Sequence, residues 1–435
     1  MTAAARGQGA RLRQRAMATI PALLRDRPFR GYWTAQTVSL FGDQVSSVAM
    51  PLTAVLVFKA SAAEMGYLTA LIWLPSLLLG LHAGAWVDRR GRRRATMIAA
   101  DAGRFALFAS VPVCYALGVL TLAQLYAVAF AAGVLSVFFG VSDTTLFVAL
   151  VPPQQYVDGN SLIYASRALS FVGGPSAGGL MVQWLTAPFA LAVNALSFLG
   201  SAVFLGRIRP AEPPPAASGR GSLTAGARFI ARTPIIRAEL CALATINFFT
   251  LGFLALFTLY AVRELHVIPG VLGLVLGAGA VGGLAGAAIT RRLSAAAGAG
   301  RANVLGCVLF TAPLLLVPLA AGPRPLVLGS LFLSEFGSGF GVMVLDITFG
   351  SITAAVIPDE VRARVTGAFQ AVNYGTRPLG ALAAGGLAAL IGLRLTLWLT
   401  AIGATLGFLW LLPSPVARFR MPGSGAASQD GAPPG

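Results

Sequence analysis

Six ionisable residues stand where ionisable residues are costly. Asp43, Asp143, Arg167, Glu335, Asp346 and Arg377 each lie inside a long apolar run of the 435-residue chain. A charge at the centre of a bilayer costs roughly 2.5–3.5 kcal/mol on insertion scales, so each of them asks for a reason. A carboxyl group in such a place can bind a proton or cation reversibly, because its neutral form tolerates burial and a change of surroundings releases the proton. Around Asp43, the residues Gln36, Ser39, Ser46 and Ser47 fall one or two helical turns away and form one polar stripe. Such a stripe is expected to face a wet cavity, and Asp43 is the first candidate for proton or cation coupling. Glu335 and Asp346 are close to three turns apart and share a face. Asn160 and Tyr164 precede Arg167, as Gln370 and Asn373 precede Arg377, again at one- and two-turn spacing. Four helices therefore present polar faces to one cavity. The alternative for each residue is a structural ion pair, with Asp143 pairing either Arg167 or basic loop residues.

Other chemistry finds little support. Gly174-Pro175-Ser176-Ala177-Gly178 satisfies the G-x-S-x-G pattern of a nucleophile elbow, which needs a strand-to-helix turn and a histidine partner. The only histidines, His82 and His266, stand in no suitable context. Gly277-Ala278-Gly279-Ala280-Val281-Gly282 satisfies G-x-G-x-x-G but lies inside an apolar run with no acidic residue about twenty positions on. Both read as helix-packing glycines. The sole lysine, Lys59, follows Phe58, which excludes a Walker A phosphate loop. Cys114, Cys241 and Cys307 sit singly in apolar runs and read as packing residues. No catalytic residue, metal site or cofactor is expected. An integral membrane transferase would need an Asp-rich metal site or a histidine cluster, and the sequence has neither.

The elements that must position the six residues are long apolar helices. The chain is 56% hydrophobic and 11% charged, against about 25% charged in a soluble domain. Its apolar residues come in runs of about 18 or more, which read as spanning helices. Twelve spans are predicted, at 31–57, 64–87, 95–118, 121–149, 160–184, 187–206, 236–262, 269–290, 302–321, 325–355, 363–391 and 393–412. The formal charge of +17 is scattered between these runs and not gathered on one soluble face, so no nucleic-acid partner is expected. The distribution instead sets orientation. Arg89, Arg90, Arg92, Arg93 and Arg94 fill one loop, six arginines lie between Arg207 and Arg237, and only Lys59, Arg263, Arg324 and Arg394 lie on the opposite side. With basic loops inside, both termini are cytosolic. Asp101, Arg104 and Glu239 then lie near the cytosolic face, as gate or surface pairs. Residues 1–28 read as a cytosolic tail, because the apolar stretch after Arg15 is broken by Pro21 and lacks a cleavage site. Residues 29–206 and 236–413 form two six-helix bundles. Between them 207–235, rich in Pro, Gly and Ser, reads as a flexible linker, and 414–435 as a disordered tail.

The halves resemble each other. Val151-Pro152 precedes the fifth span with its Gly178-Gly179-Leu180, and Ile357-Pro358 precedes the eleventh with Gly385-Gly386-Leu387, an offset of about 206 residues. Duplicated bundles of this kind are built to bind a solute between them. The loop after the second span reads Gly84-Ala85-Trp86-Val87-Asp88-Arg89-Arg90-Gly91-Arg92-Arg93. Gly84 permits close helix approach, Gly91 a tight turn, and Asp88 can accept hydrogen bonds from a neighbouring helix N-terminus. This matches, at every fixed position, the G-x-x-x-D-R/K-x-G-R-R/K signature, and the chain resembles the major facilitator superfamily over nearly its whole length. The counterpart in the second half, Thr290 to Arg301, lacks the aspartate.

The resemblance implies an all-α membrane protein of twelve transmembrane helices in two pseudo-symmetric six-helix bundles. It implies that the loop latches a cytosolic gate in the outward-facing state, through Asp88, Arg89, Arg92 and Arg93. Gly174-Pro175-Ser176-Ala177-Gly178-Gly179 is similar to the G-P-x-x-G-G motif of drug:proton antiporters, with Pro175 freeing a backbone carbonyl and the glycines allowing tight packing between halves. Phe29 to Pro51, Pro358 to Val365 and Arg377 to Gly380 look like the macrolide-efflux and siderophore (enterobactin) exporters, although Ala363 stands where that branch often has glycine. The implied function is proton-coupled efflux of a small amphipathic or hydrophobic molecule by alternating access. The implied partners are protons and the lipid bilayer, and the implied form is a monomer in a bacterial inner membrane. An importer of the same fold, a symporter, is the alternative, and an integral membrane enzyme a more distant one. Phe248, Phe249, Phe253, Phe257 and Tyr260 offer apolar contact to a ligand or belong to the core.

Overall fold

A computed structural model describes residues 22–209 and 223–420. The long helices are α1 (Arg27–Leu56), α2 (Ala62–Arg90), α3 (Arg93–Ala116), α4 (Leu122–Leu150), α5 (Tyr156–Leu185), α6 (Ala187–Arg207), α7 (Pro234–Arg263), α8 (Pro269–Ala297), α9 (Ala299–Thr311), α10 (Arg324–Val356), α11 (Asp359–Ile391) and α12 (Leu393–Leu406). Among the described residues there is no strand. Helices satisfy every backbone group within the segment, which is what a lipid solvent demands. Among the described residues nine helical stretches are long and apolar enough to cross a membrane, α9 and α12 counting with the short turns that continue them to Leu319 and Trp410. The long helices outside those nine are α1, α5 and α11, the carriers of Asp43, Arg167 and Arg377.

Local chemistry sets the helix ends. Asp26 caps α1, accepting from the Phe29 N–H at 3.0 Å. Ser61 and Glu64 form a reciprocal capping box on α2. Gly91 ends α2 at φ +62°, a left-handed conformation that glycine adopts without cost. Pro313 converts the end of the 302–321 span into a 3-10 turn over Ala312–Leu315 followed by a short helix, Leu316–Leu319. Proline also lies inside α1, α2, α3, α5 and α11, at Pro51, Pro75, Pro112, Pro175 and Pro378.

Packing repeats between the halves. In the first, α1 packs on α5 and α6, α3 on α4 and α6, and α2 on α4. In the second, α7 packs on α11 and α12, α9 on α10, and α8 on α10. The bundles meet along α5–α8 and α2–α11. Both seams are backbone-on-backbone: a Cβ at Gly179 would lie 2.8 Å from the Cα of Gly273, and one at Gly385 would lie 3.0 Å from the Cα of Gly66. The two pairs occupy equivalent places under the internal duplication.

Two segments are more ordered than their composition predicts. Within the expected 207–235 linker, Leu223–Arg232 is a helix. Its Gly226 lies against the Arg364 carbonyl, and its Ile230 is buried with Ile236, Ile357 and Val365. Beyond Pro413 the chain stays ordered through Phe419, with Val416 buried and the Phe419 carbonyl accepting from Gly300 N–H at 3.1 Å. In both cases a few apolar side chains outweigh the polar composition around them. Residues 1–21 of the expected 1–28 tail, the linker's 210–222 and the C-terminal 421–435 lie outside the described residues, and the rest of that tail is helical, with a short helix at Ala22–Arg25 before α1 begins at Arg27.

A glycine contrast tests the close packing of α11 on α7 within the second bundle. A Cβ at Gly380 would collide with the Phe248 carbonyl, whereas Gly386 has nothing within 4 Å. Gly380→Val is expected to destabilise the purified protein by about 1–3 kcal/mol or more, and Gly386→Val to leave it unchanged, as read by thermal unfolding in detergent.

Candidate functional site

The inter-bundle seams run from the Gly66 and Gly273 ends to mid-helix, where Gly277 meets the Val172 carbonyl and Gly375 meets Leu77. Past that level, toward Arg90, Leu150 and Val356, the chain opens. Gly80, Gly84, Gly140 and Gly350 have nothing within 4 Å, and Tyr164 is 62% exposed. On α5 the exposed residues Val157, Asn160, Tyr164, Arg167 and Phe171 recur at alternating steps of three and four, one helix face. Asp346 and Gln370 are exposed too. Amide and charged groups on a hydrocarbon-facing surface would be strongly disfavoured, so this face borders a wet cleft between the bundles.

The polar stripe on α1 is split by its neighbours. Asp43 and Ser47 are accessible, while Gln36, Ser39 and Ser46 are buried. Ser46 accepts from the Asn194 amide of α6 at 2.6 Å, and Ser197 donates to the Asn194 carbonyl oxygen at 3.0 Å. Gly42 makes room for this cluster. Gln36 and Tyr32 both donate to Asp143 Oδ1 on α4, the tyrosine at 2.6 Å. Asp143 is therefore satisfied by neutral donors of α1, and neither Arg167 nor a loop arginine bonds it directly. Arg167 instead lies over the Tyr164 ring of its own helix, 5.9 Å from the centroid.

Asp101 and Arg104 are not surface groups. They form a direct ion pair on α3 at 0% and 3% exposure, with the guanidinium held between the rings of Phe139 (4.4 Å) and Phe198 (4.2 Å). Glu239 on α7 is equally buried, at 0% exposure, and neither of its oxygens has a partner. Both polar atoms of the buried Asn303 on α9 are unpartnered as well.

In the second bundle Arg377 is the organising charge. Its Nε donates to Asn247 Oδ1 of α7 at 3.0 Å. Its guanidinium lies 4.3 Å from the Trp73 ring and 4.8 Å from Tyr374, rings that stack across the α2–α11 seam. Glu335, three turns from Asp346, is half-buried against Gly279 of α8, so the two acids of α10 have different surroundings. Asn373 is half-buried with an unpartnered carbonyl oxygen. Tyr32, Trp73, Asn194 and Asn247 escaped the sequence reading. Their only signal is a lone polar or amphipathic side chain inside an apolar run.

The glycine motifs resolve into helix contacts. Gly174 and Gly178 of α5 rest on Gln44 and Val45 of α1, and Gly179 rests on α8. Ser176 donates to the Gly273 carbonyl at 3.4 Å. Gly277 faces α5, whereas Gly279 and Gly282 face Glu335 and Phe336 of α10. Phe253, Phe257 and Tyr260 are buried in the core and do not line the cleft. In the α2–α3 loop Arg90 lies over Trp86, 4.9 Å from the ring. Arg94 donates to the carbonyls of Leu205 and Gly206 at 2.7 and 2.6 Å, capping α6. The close approach expected at Gly84 is not made in this conformation, and the Asp88 side chain lies outside the described residues. Among the described residues no group of His, Cys, Asp and Glu could hold a metal.

The buried ion pair gives a direct test. Asp101→Asn should destabilise the protein by about 3–5 kcal/mol by leaving Arg104 uncompensated, and adding Arg104→Met should recover part of that loss. Thermal unfolding of the single and double variants reads both values.

Comparisons with known proteins agree on the family. Residues 32–381 match the profile of the Major Facilitator Superfamily. The multidrug efflux pump Tap of Mycolicibacterium fortuitum is 29% identical over 383 residues, 82% of this chain and 88% of that protein. Tap of Mycobacterium tuberculosis (strain H37Rv) is 30% identical, covering 83% of this chain and 87% of the relative. Among solved structures, a bacterial homologue of the iron transporter ferroportin in an inward-facing state superposes with a TM-score of 0.71 at 17% identity, covering 90% of this chain and all (100%) of that one. The nucleoside transporter NupG gives 0.70 at 12% identity, covering 91% and 99%; both establish the fold. A helical membrane chain with a polar cleft between duplicated bundles, and no enzymatic machinery in its sequence, is thus a transporter of small molecules: it belongs to the Major Facilitator Superfamily.

Proposed function

We propose that the protein exports a small amphipathic or hydrophobic molecule in exchange for protons. In this reading all twelve long helices span the inner membrane of a bacterium, both termini are cytosolic, and the protein works as a monomer. The observation that carries the reading is Asp43: an accessible carboxyl group near the middle of α1, in a chain whose relatives are named multidrug efflux pumps. The cleft is sealed by the glycine seams at the outer ends and open at the cytosolic ends. Solute enters from the cytosol between α5, α10 and α11, along Tyr164, Gln370, Arg377 and Asp346.

Alternating access then requires the seams to part and the cytosolic ends to close. The open space at Gly84 is where a neighbouring helix seats in the closed state, with Asp88, Arg89, Arg92 and Arg93 as latch and Gly91 as the fixed turn. A proton taken up by Asp43 from outside favours one orientation, and its release inside resets the other.

Inverted vesicles with an imposed proton gradient test this. Wild type should accumulate a lipophilic cationic dye inside the vesicle, and Asp43→Asn should lose gradient-driven accumulation at least tenfold while still binding the dye. Full gradient-driven transport by Asp43→Asn overturns the coupling assignment, and accumulation in right-side-out vesicles only would identify a symporter. For topology, Lys59→Cys should react with an impermeant maleimide from outside intact cells, and Arg90→Cys only after permeabilisation.

A further inference from the structure

Where α1 begins and α6 ends, a groove of about 550 Å³ lies between the two helices, on the same side of the bundle as the α2–α3 loop. Its rim carries Arg27, Arg30, Arg207 and Arg209, all exposed, and its floor includes Phe204 and Ile208. The helices are held together beneath it by a tight contact: a Cβ at Gly31 would lie 2.6 Å from Ile208 Cγ2.

The groups that would ordinarily neutralise these arginines are already occupied. Asp26, the neighbouring acid, turns into α1 as its N-cap. The carbonyls at the end of α6 are taken by Arg94, arriving from α3. Arg30 reaches only the Leu24 carbonyl, at 3.5 Å. Among the described residues, four arginines thus rim one groove whose lining holds no carboxylate. Guanidinium is matched to phosphate by its planar, bidentate donor geometry.

Below the groove, Leu196, Leu199 and Val203 of α6 are exposed at successive turns, an apolar track leading from the basic rim down the helix. The ligand that fits both parts has an anionic phosphate head and a hydrocarbon tail. We propose that this groove is a binding site for an anionic phospholipid of the cytosolic leaflet, its phosphodiester on Arg27, Arg30, Arg207 and Arg209 and its acyl chain along α6. Basic pockets between spanning helices on the cytosolic side are suited to such head groups. The site lies outside the cleft and does not depend on the solute or on proton coupling; it uses the proposed orientation only to name the leaflet.

The purified full-length chain in a neutral detergent is titrated with phosphatidylglycerol, with phosphatidylcholine, and with inorganic phosphate. Binding is followed by native mass spectrometry and the thermal unfolding midpoint. Phosphatidylglycerol should bind at least tenfold more tightly than phosphatidylcholine and raise the midpoint, with an affinity that falls as salt rises. The combined Arg27→Gln, Arg30→Gln, Arg207→Gln and Arg209→Gln variant should lose that preference. Should it fail to fold, Arg207→Gln with Arg209→Gln, at the exposed end of α6, should lose at least part of it. Arg291→Gln with Arg292→Gln, in the other bundle, should keep it. Equal lipid preference in folded wild type and either groove variant overturns the proposal. So does a midpoint shift reproduced by inorganic phosphate alone, which would mark a soluble-anion site.

Discussion

Lipid gives two helical bundles no hydrophobic reason to associate, because hydrocarbon is as apolar as the helix surface it would release. What remains is close packing, and here it takes the strictest form, backbone against backbone with no side chain between. The Gly179–Gly273 and Gly66–Gly385 contacts are where each half grips the other, and they are related by the duplication. Everything on the cleft side depends on them. They seal one end, they fix how far α5 and α11 stand from their partners, and they leave the opposite ends apart. An interface made of many short backbone contacts and few anchoring side chains can also separate without unburying large residues, which suits a surface that must open.

The two bundles handle polar groups differently. The N-terminal one satisfies its acids internally: Asp143 by Tyr32 and Gln36, Asp101 by Arg104 between two aromatic rings. Asp43, near the middle of α1, stays accessible. The C-terminal bundle leaves Glu239 and Asn303 buried without partners, and its Arg377 leans on Trp73 from the other half. Buried polar atoms without partners occur in both bundles, Asp101 Oδ2 and Arg104 Nε among them.

Much of the architecture was legible in the residues. Run lengths located the helices, the Val151/Ile357 offset located the duplication, and the glycines of α5 marked a helix interface because only close approach explains them. Gly91 announced a left-handed turn, and φ +62° is what it adopts. The site was less legible. Helical spacing placed Gln36, Ser39 and Asp43 on one stripe, but which of them meets water is decided by Asn194 and Asp143, residues far away in sequence. Gly84 looked like a packing glycine because sequence carries no conformational state. The helix at Leu223–Arg232 was hidden by the proline-rich stretch before it, although Phe229 and Ile230 were enough to dock it.

The Asp101–Arg104 pair also bears on how the protein is made. The two residues sit one turn apart on the same helix, so α3 carries its own counter-ion. It can enter the bilayer as a nearly neutral rod before α4 and α6 exist to shelter it. Glu335 of α10 has no such companion within a turn, and that helix enters without a counter-ion of its own.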